Sequence, residues 1–154
     1  MRHRLLTGRP EMEEIIRKCQ VCHIAMVDPE GMPYLLPFNF GYADGIIYFH
    51  SAKVGRKIDI LSLNPNVCVE FSTDYQLRFQ NENVGCSYTM KYRSVLAYGK
   101  VEFIDDPDQK IRIMNYVMKN YASGDFVYSP PSMHEVACWI VRIQKLEGRT
   151  NGYN

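Results

Sequence analysis

From Val21 to Ile143 the chain alternates short apolar runs with turn residues, a punctuation that favours an antiparallel sheet over other architectures. Val21–Val27 reads as a strand, Asp28-Pro-Glu-Gly31 as a turn with Gly31 supplying the positive φ, and Tyr34–Tyr42 as a second strand interrupted by Pro37. Ala43-Asp-Gly45 closes a hairpin onto Ile46–His50. Val67–Ser72 and Tyr92–Ile104 follow, with Gly99 expected at a bulge or bend, and Val136–Ile143 is the last strand. Helical spacing is scarcer. Met12, Ile15, Ile16 and Cys19 line one helical face, and Val54–Leu63 reads as a short helix stopped by Asn64-Pro65. Asp106 then caps a helix whose face carries Ile111, Met114, Met118 and Tyr121. Ser123–Glu135, with Gly124 and Pro130-Pro131, is expected to be a loop. The expected fold is mainly β: a closed or partly closed β-barrel with a few flanking helices, in a single domain covering residues 1–154.

A hydrophobic share of 46% lets such a domain bury a real core, and a formal net charge of +1 argues against general nucleic-acid or anionic-membrane binding. The opening Met1-Arg-His-Arg-Leu-Leu lacks the apolar stretch of a signal peptide, and the 5 cysteines, an odd number, read as reduced thiols. A cytoplasmic protein is expected.

The stretch most suggestive of chemistry is Phe49-His50-Ser51-Ala52-Lys53-Val54-Gly55-Arg56-Lys57, which leaves a strand and opens a helix. Unpaired N–H groups and the dipole at a helix N-terminus favour an anion. Ser51 can donate a hydroxyl, Gly55 lets a ligand approach the backbone, and Arg56 and Lys57 add the charges suited to a phosphate. Two cations in a first helical turn oppose the helix dipole, and a bound phosphate would offset that. The rival view is a plain solvated turn.

Pro33–Phe40 points to a second feature. Pro37 removes a ladder donor, so the strand is open at an edge or bulge. Backbone beside Asn39 could bond a planar heterocycle with Phe38 or Phe40 against it, although an edge strand with core aromatics accounts for the segment alone somewhat better. His50 is either an ordinary strand histidine or a residue lining a pocket, able to deliver a proton. Trp139 reads as core. Cys19-x-x-Cys22-His23 matches the covalent haem pattern, but without an export signal its cysteines read as apolar core residues, and no second ligand pair completes a zinc site.

Gly31-x-Pro33-Tyr34-x-x-Pro37-x-Asn39-Phe40-x-Tyr42, then Tyr48-Phe49-His50-Ser51-Ala52-x-x-Gly55-Arg56-Lys57, then Tyr92-Arg93-Ser94-Val95-x-x-Tyr98-Gly99, resemble the pyridoxamine 5′-phosphate oxidase-like flavoproteins, and among them the nitroimidazole-resistance group. The resemblance implies an FMN-binding split barrel, working as a homodimer with flavin sites across the interface. Pro37, Phe38, Asn39 and Phe40 would then lie along the flavin ring. Phe49, His50 and Ser51 would flank the ring and ribityl chain, with Gly55, Arg56 and Lys57 at the phosphate and His50 the candidate catalytic residue. Tyr92, Arg93 and Ser94 would reach the flavin from the partner subunit. FMN is the expected cofactor; FAD stays open, since the loop reads only the first phosphate. The tail Leu146–Asn154 lacks the basic pattern that holds a vitamin B6 substrate. The expected activity is therefore FMN-dependent reduction of a small molecule, with a nitroimidazole as the candidate substrate; general flavin reduction, or a flavin- or haem-binding carrier, is the alternative.

Overall fold

The computed structural model describes residues 3–154; Met1 and Arg2, part of the basic opening, lie outside them. In chain order the elements are β1 (His3–Leu6), α1 (Arg9–Lys18), β2 (Cys22–Val27), β3 (Pro33–Phe38), β4 (Gly41–Ala43) and β5 (Ile46–Ala52). Then come α2 (Arg56–Leu63), β6 (Asn66–Arg78), β7 (Thr89–Ile104), α3 (Pro107–Lys119), α4 (Pro130–Glu135) and β8 (Val136–Asn151). No helix among the described residues is long and apolar enough to cross a membrane.

The strands lie in the order β3-β2-β6-β7-β8-β5-β4, with β1 added to β8, and every pair is antiparallel. The ends of this order are β3 and β4, yet only Asn39 and Phe40 separate them in the chain. The span from Phe38 to Gly41 reaches at most roughly 10 Å. The sheet must therefore curl until its two edges nearly meet, which makes a barrel with an unpaired seam: a split barrel. Phe38 plugs that seam, its ring centroid 5.8 Å from Phe49 and 5.4 Å from Trp139. Phe49 and Trp139 are themselves stacked at 4.5 Å. The seam-side edge of β3 carries Pro33 and Pro37.

Period-2 alternation fills the interior. Ile24 and Met26 of β2, Val69 and Phe71 of β6, Val95 and Ala97 of β7, and Trp139 and Val141 of β8 are all buried in one cluster. The apolar stripe of α1, Met12, Ile15 and Ile16, joins that core. A second, smaller cluster of Ile113, Met133, Cys138 and Ile140 packs under α3 and α4. That is why Cys138–Val141 is buried without alternation: helices cover the face turned away from the barrel. Lys110, itself buried, fastens α4 by donating to the carbonyls of Met133 at 2.5 Å and Val136 at 2.6 Å.

Several expectations were met. The hairpin at Asp44-Gly45 has positive φ at both residues, 49° and 77°, as its turn requires. Gly99 sits at a register shift against β8, and Asp106 accepts from the Gln109 N–H at 2.9 Å. Others need correction. Tyr34–Tyr42 is not one interrupted strand but β3 and β4, on opposite edges of the sheet. Ser123–Glu135 is not all loop: Ser129 caps α4, and Pro130-Pro131 occupy its first turn, where a missing N–H costs nothing. The last strand continues past Ile143 to Asn151, and α2 starts at Arg56, not Val54.

Cys19 and Cys22 are buried. The Cys19 thiol donates to the Ile15 carbonyl at 3.3 Å, and the Cys22 thiol to that of Phe38 at 3.6 Å. Burial pushes the Cys19 thiol up to about 11 and that of Cys22 higher still, away from the thiolate a metal would need. Cys22→Ser should therefore cost about 1–3 kcal/mol through an ill-matched hydroxyl in an apolar site. In thermal melts with and without a chelator, both proteins should show no chelator effect; a chelator-sensitive wild type would contradict the core assignment.

Candidate functional site

The strand-to-helix passage from β5 to α2 is built as an open cradle. Gly55 takes φ 127°, with nothing within 4 Å of where a side chain would begin. No side chain among the described residues caps α2, which leaves its leading N–H groups without a side-chain partner. Arg56 is fixed from below. Its guanidinium lies 4.3 Å from the Tyr34 ring centroid and 3.7 Å from the Asp28 carboxylate. Asp28 is locked in its turn by accepting the N–H groups of Glu30 at 3.0 Å and Met32 at 2.8 Å. The planar fork is thus preorganised while its side chain stays 59% exposed, leaving donors for an anion. Lys57 follows, half-buried, and Lys53 stands exposed beside the loop.

The aromatic segment resolves into two kinds of residue. Phe40 and Phe49 are fully buried, so their rings belong to the core and only their backbone can meet a ligand. Phe38 is half-buried in the seam, while Pro37 and Asn39 are exposed. An edge strand with core aromatics describes this segment. The crossing at Asn39-Phe40 is clamped from the end of α3: the Phe40 N–H donates to the Tyr121 hydroxyl at 3.0 Å, and the Asn120 amide donates to the Phe40 carbonyl at 3.1 Å. Ser51 accepts the Trp139 indole N–H at 3.2 Å, which satisfies the buried tryptophan and orients the hydroxyl. His50 pairs with Cys138 across the sheet, and its Nδ1 is buried without a hydrogen-bond partner among the described residues. Burial lowers its pKa, so the ring is neutral at pH 7.

Tyr92, Arg93 and Ser94 do not share one face of β7. Alternation on β7 turns Tyr92 and Ser94 to the outer face, where they line a concavity of about 590 Å³ with Glu70, Ser72, Leu96 and Arg149. Arg93 points the other way and pairs with Asp74 at 2.5 Å. It also lies far from Arg56. Extended from its last pair, Ala25 with Cys68, the β2–β6 register brings Val27, just before the Asp28 turn, level with Asn66, whereas Arg93 is level with Thr73. Seven strand residues separate those levels, roughly 23 Å. Within one chain, the cradle and Arg93 do not converge.

Beyond Arg93, on the side away from the cradle, projects the β6–β7 hairpin, with Tyr75, Leu77, Phe79 and Met90 exposed and the Phe79 and Tyr88 rings stacked at 4.8 Å. Such a concentration of apolar surface is characteristic of an interaction surface. Sequence reasoning missed Asp28 as the anchor of Arg56, since Asp28-Pro-Glu-Gly31 shows only a turn. It also missed Asp74 and Tyr153, which no local pattern marks.

The family described as pyridoxamine 5′-phosphate oxidase matches residues 8–150. A Bacteroides thetaiotaomicron protein provisionally assigned to 5-nitroimidazole antibiotic resistance shares 35% identity, with a TM-score of 0.88 over 97% of this chain and 87% of its own. An FAD- and haem-binding protein from Mycobacterium smegmatis gives a TM-score of 0.85 at 14% identity, covering 97% of this chain and 74% of its own. An FAD-binding protein from Mesorhizobium loti gives 0.72 at 21%, covering 99% and 100%. At those two identities the likeness concerns the fold alone. Comparison with curated proteins found no match. With the family's match running over nearly the whole barrel, the chain belongs to the pyridoxamine 5′-phosphate oxidase family.

Proposed function

We propose that this protein is a flavin-dependent oxidoreductase, with FMN as cofactor, built as a homodimer and acting on nitroaromatic compounds such as nitroimidazoles. The observation that carries the flavin reading is the uncapped α2 N-terminus, open at Gly55, with Arg56 held in place by Tyr34 and Asp28. Such a cradle suits a phosphate monoester. In this reading Ser51 and the exposed backbone around Pro37 and Asn39 receive the rest of the molecule. A bound flavin supplies the electron chemistry, while the chain anchors it, orients it and shields it from water. The nitroimidazole substrate class rests on the likeness at 35% identity. The 5 free cysteines agree with a reducing, cytoplasmic setting.

The dimer is supported by the separation of the site's two parts. If Arg56 and Arg93 serve one flavin, they must come from different chains. The exposed hairpin and the outer-face concavity offer apolar surface for the second copy, and an isologous pair would use each twice.

His50 is assigned the delivery of a proton to the reduced substrate. Its pKa is lowered by burial, so the protonated form is scarce at pH 7 and grows only as pH falls through a value below 6.5. Activity limited by that proton should rise as pH is lowered through that range, and His50→Gln should flatten this limb of the kcat profile. An unchanged profile in the variant removes His50 from the chemistry.

Arg56→Ala should weaken FMN binding about ten- to a hundredfold, the value of one charge-assisted contact, and leave riboflavin binding unaltered. Titration of the apoprotein with both flavins checks this; equal wild-type affinity for the two means there is no phosphate site.

Sedimentation should show a dimer. Mixing Arg93→Ala with Arg56→Ala chains should restore one strong FMN site per heterodimer, whereas a monomer that binds FMN tightly contradicts the two-chain site.

A further inference from the structure

Asp74 occupies the left-handed region at φ 57°, where the β6–β7 register slips. Thr73 faces Arg93, and the next partners are Gln76 and Lys91. Asp74 and Tyr75 therefore oppose Tyr92 alone, a bulge whose left-handed position is ordinarily given to glycine. Glycine would adopt this φ without strain, so an aspartate here calls for a reason in its side chain.

The carboxylate provides one. Asp74 Oδ2 accepts from Arg93 Nη1 at 2.5 Å and faces Lys18 Nζ at 3.4 Å. Burial resists ionisation, but the hydrogen bonds from Arg93 and Lys18 outweigh it and hold the Asp74 carboxyl below the usual carboxylate range. Tyr153 braces the arrangement from the C-terminal segment. Its hydroxyl donates to the Asp74 carbonyl at 2.7 Å, and its ring centroid lies 3.8 Å from the Arg93 guanidinium carbon. Arg93 is thus held along its edge by a carboxylate and across its face by an aromatic ring. A guanidinium constrained in both directions keeps its direction when a ligand arrives, and no ordering is left for binding to accomplish.

We propose that Asp74, backed by Tyr153, is a positioning residue that presents Arg93 to the flavin bound at the partner subunit's cradle. The proposal rests on the two-chain flavin site proposed above. Strain is retained at Asp74 because the ion pair it allows is needed for binding, whereas the fold itself would prefer glycine.

Asp74→Gly separates these two roles. The substitution relieves the backbone, so the melting temperature should hold or rise, while FMN affinity falls on the order of tenfold, the equivalent of one well-placed charged contact. Asp74→Asn tolerates the same φ and keeps an acceptor oxygen, so it should recover part of that loss. Tyr153→Phe keeps the ring but loses the hydroxyl, and should weaken FMN severalfold with Arg93 intact. The measurements are FMN fluorescence titrations and melts of the apoproteins, with Arg93→Ala alongside. FMN affinity lost in Arg93→Ala but unchanged in Asp74→Gly overturns the positioning role and leaves the two-chain site standing. Wild-type affinity in Arg93→Ala overturns the role of Arg93 itself, and the positioning role with it.

Discussion

The architecture depends on a short tether. Asn39 and Phe40 must carry the chain from one end of the sheet order to the other, and a connection that brief forbids a flat sheet. Curling follows from chain length, and the aromatic plug of Phe38, Phe49 and Trp139 makes the curled state a packed one. The clamp by Asn120 and Tyr121 satisfies the backbone of the crossing, which lies where no neighbouring strand could do so. The unpaired seam and the exposed backbone beside it are consequences of this closure. A fully closed barrel would pair the strand edge on which Pro33 and Pro37 stand.

Much of this was legible in the sequence because it is local. Alternation along β2, β6 and β7, the Asp-Gly hairpin and the Asp106 cap depend on near neighbours, and near neighbours are what a pattern records. The failures have physical causes. Pro130-Pro131 suggests a loop unless one asks whether a cap precedes it, and Ser129 does. The far half of β8 escaped notice because the register shift at Gly99 disturbs its period, and Gln144, Lys145 and Glu147 face solvent. The break between β3 and β4 was visible only as Pro37, which marks an irregularity without saying where the chain goes next.

The site divides along the same line. Gly55, Arg56 and Lys57 could be singled out because helix-terminus chemistry is contained in a few residues. What makes Arg56 usable is the Asp28 turn and the Tyr34 ring, both distant in sequence. Arg93 could be named through resemblance, but not its direction, since strand parity turns it away from Tyr92 and Ser94. Phe40 and Phe49, placed by the same resemblance beside the flavin, have their rings in the core. A motif can thus record the packing that shapes a site as well as the atoms that touch a ligand.

The two prolines of β3 have a consequence beyond the architecture. A barrel that leaves a seam open leaves a strand edge facing water, and such an edge is a template on which foreign strands can polymerise. Pro33 and Pro37 have no N–H to offer an incoming strand. The open seam can therefore persist among other chains, because this edge is poorly equipped to recruit another β-strand.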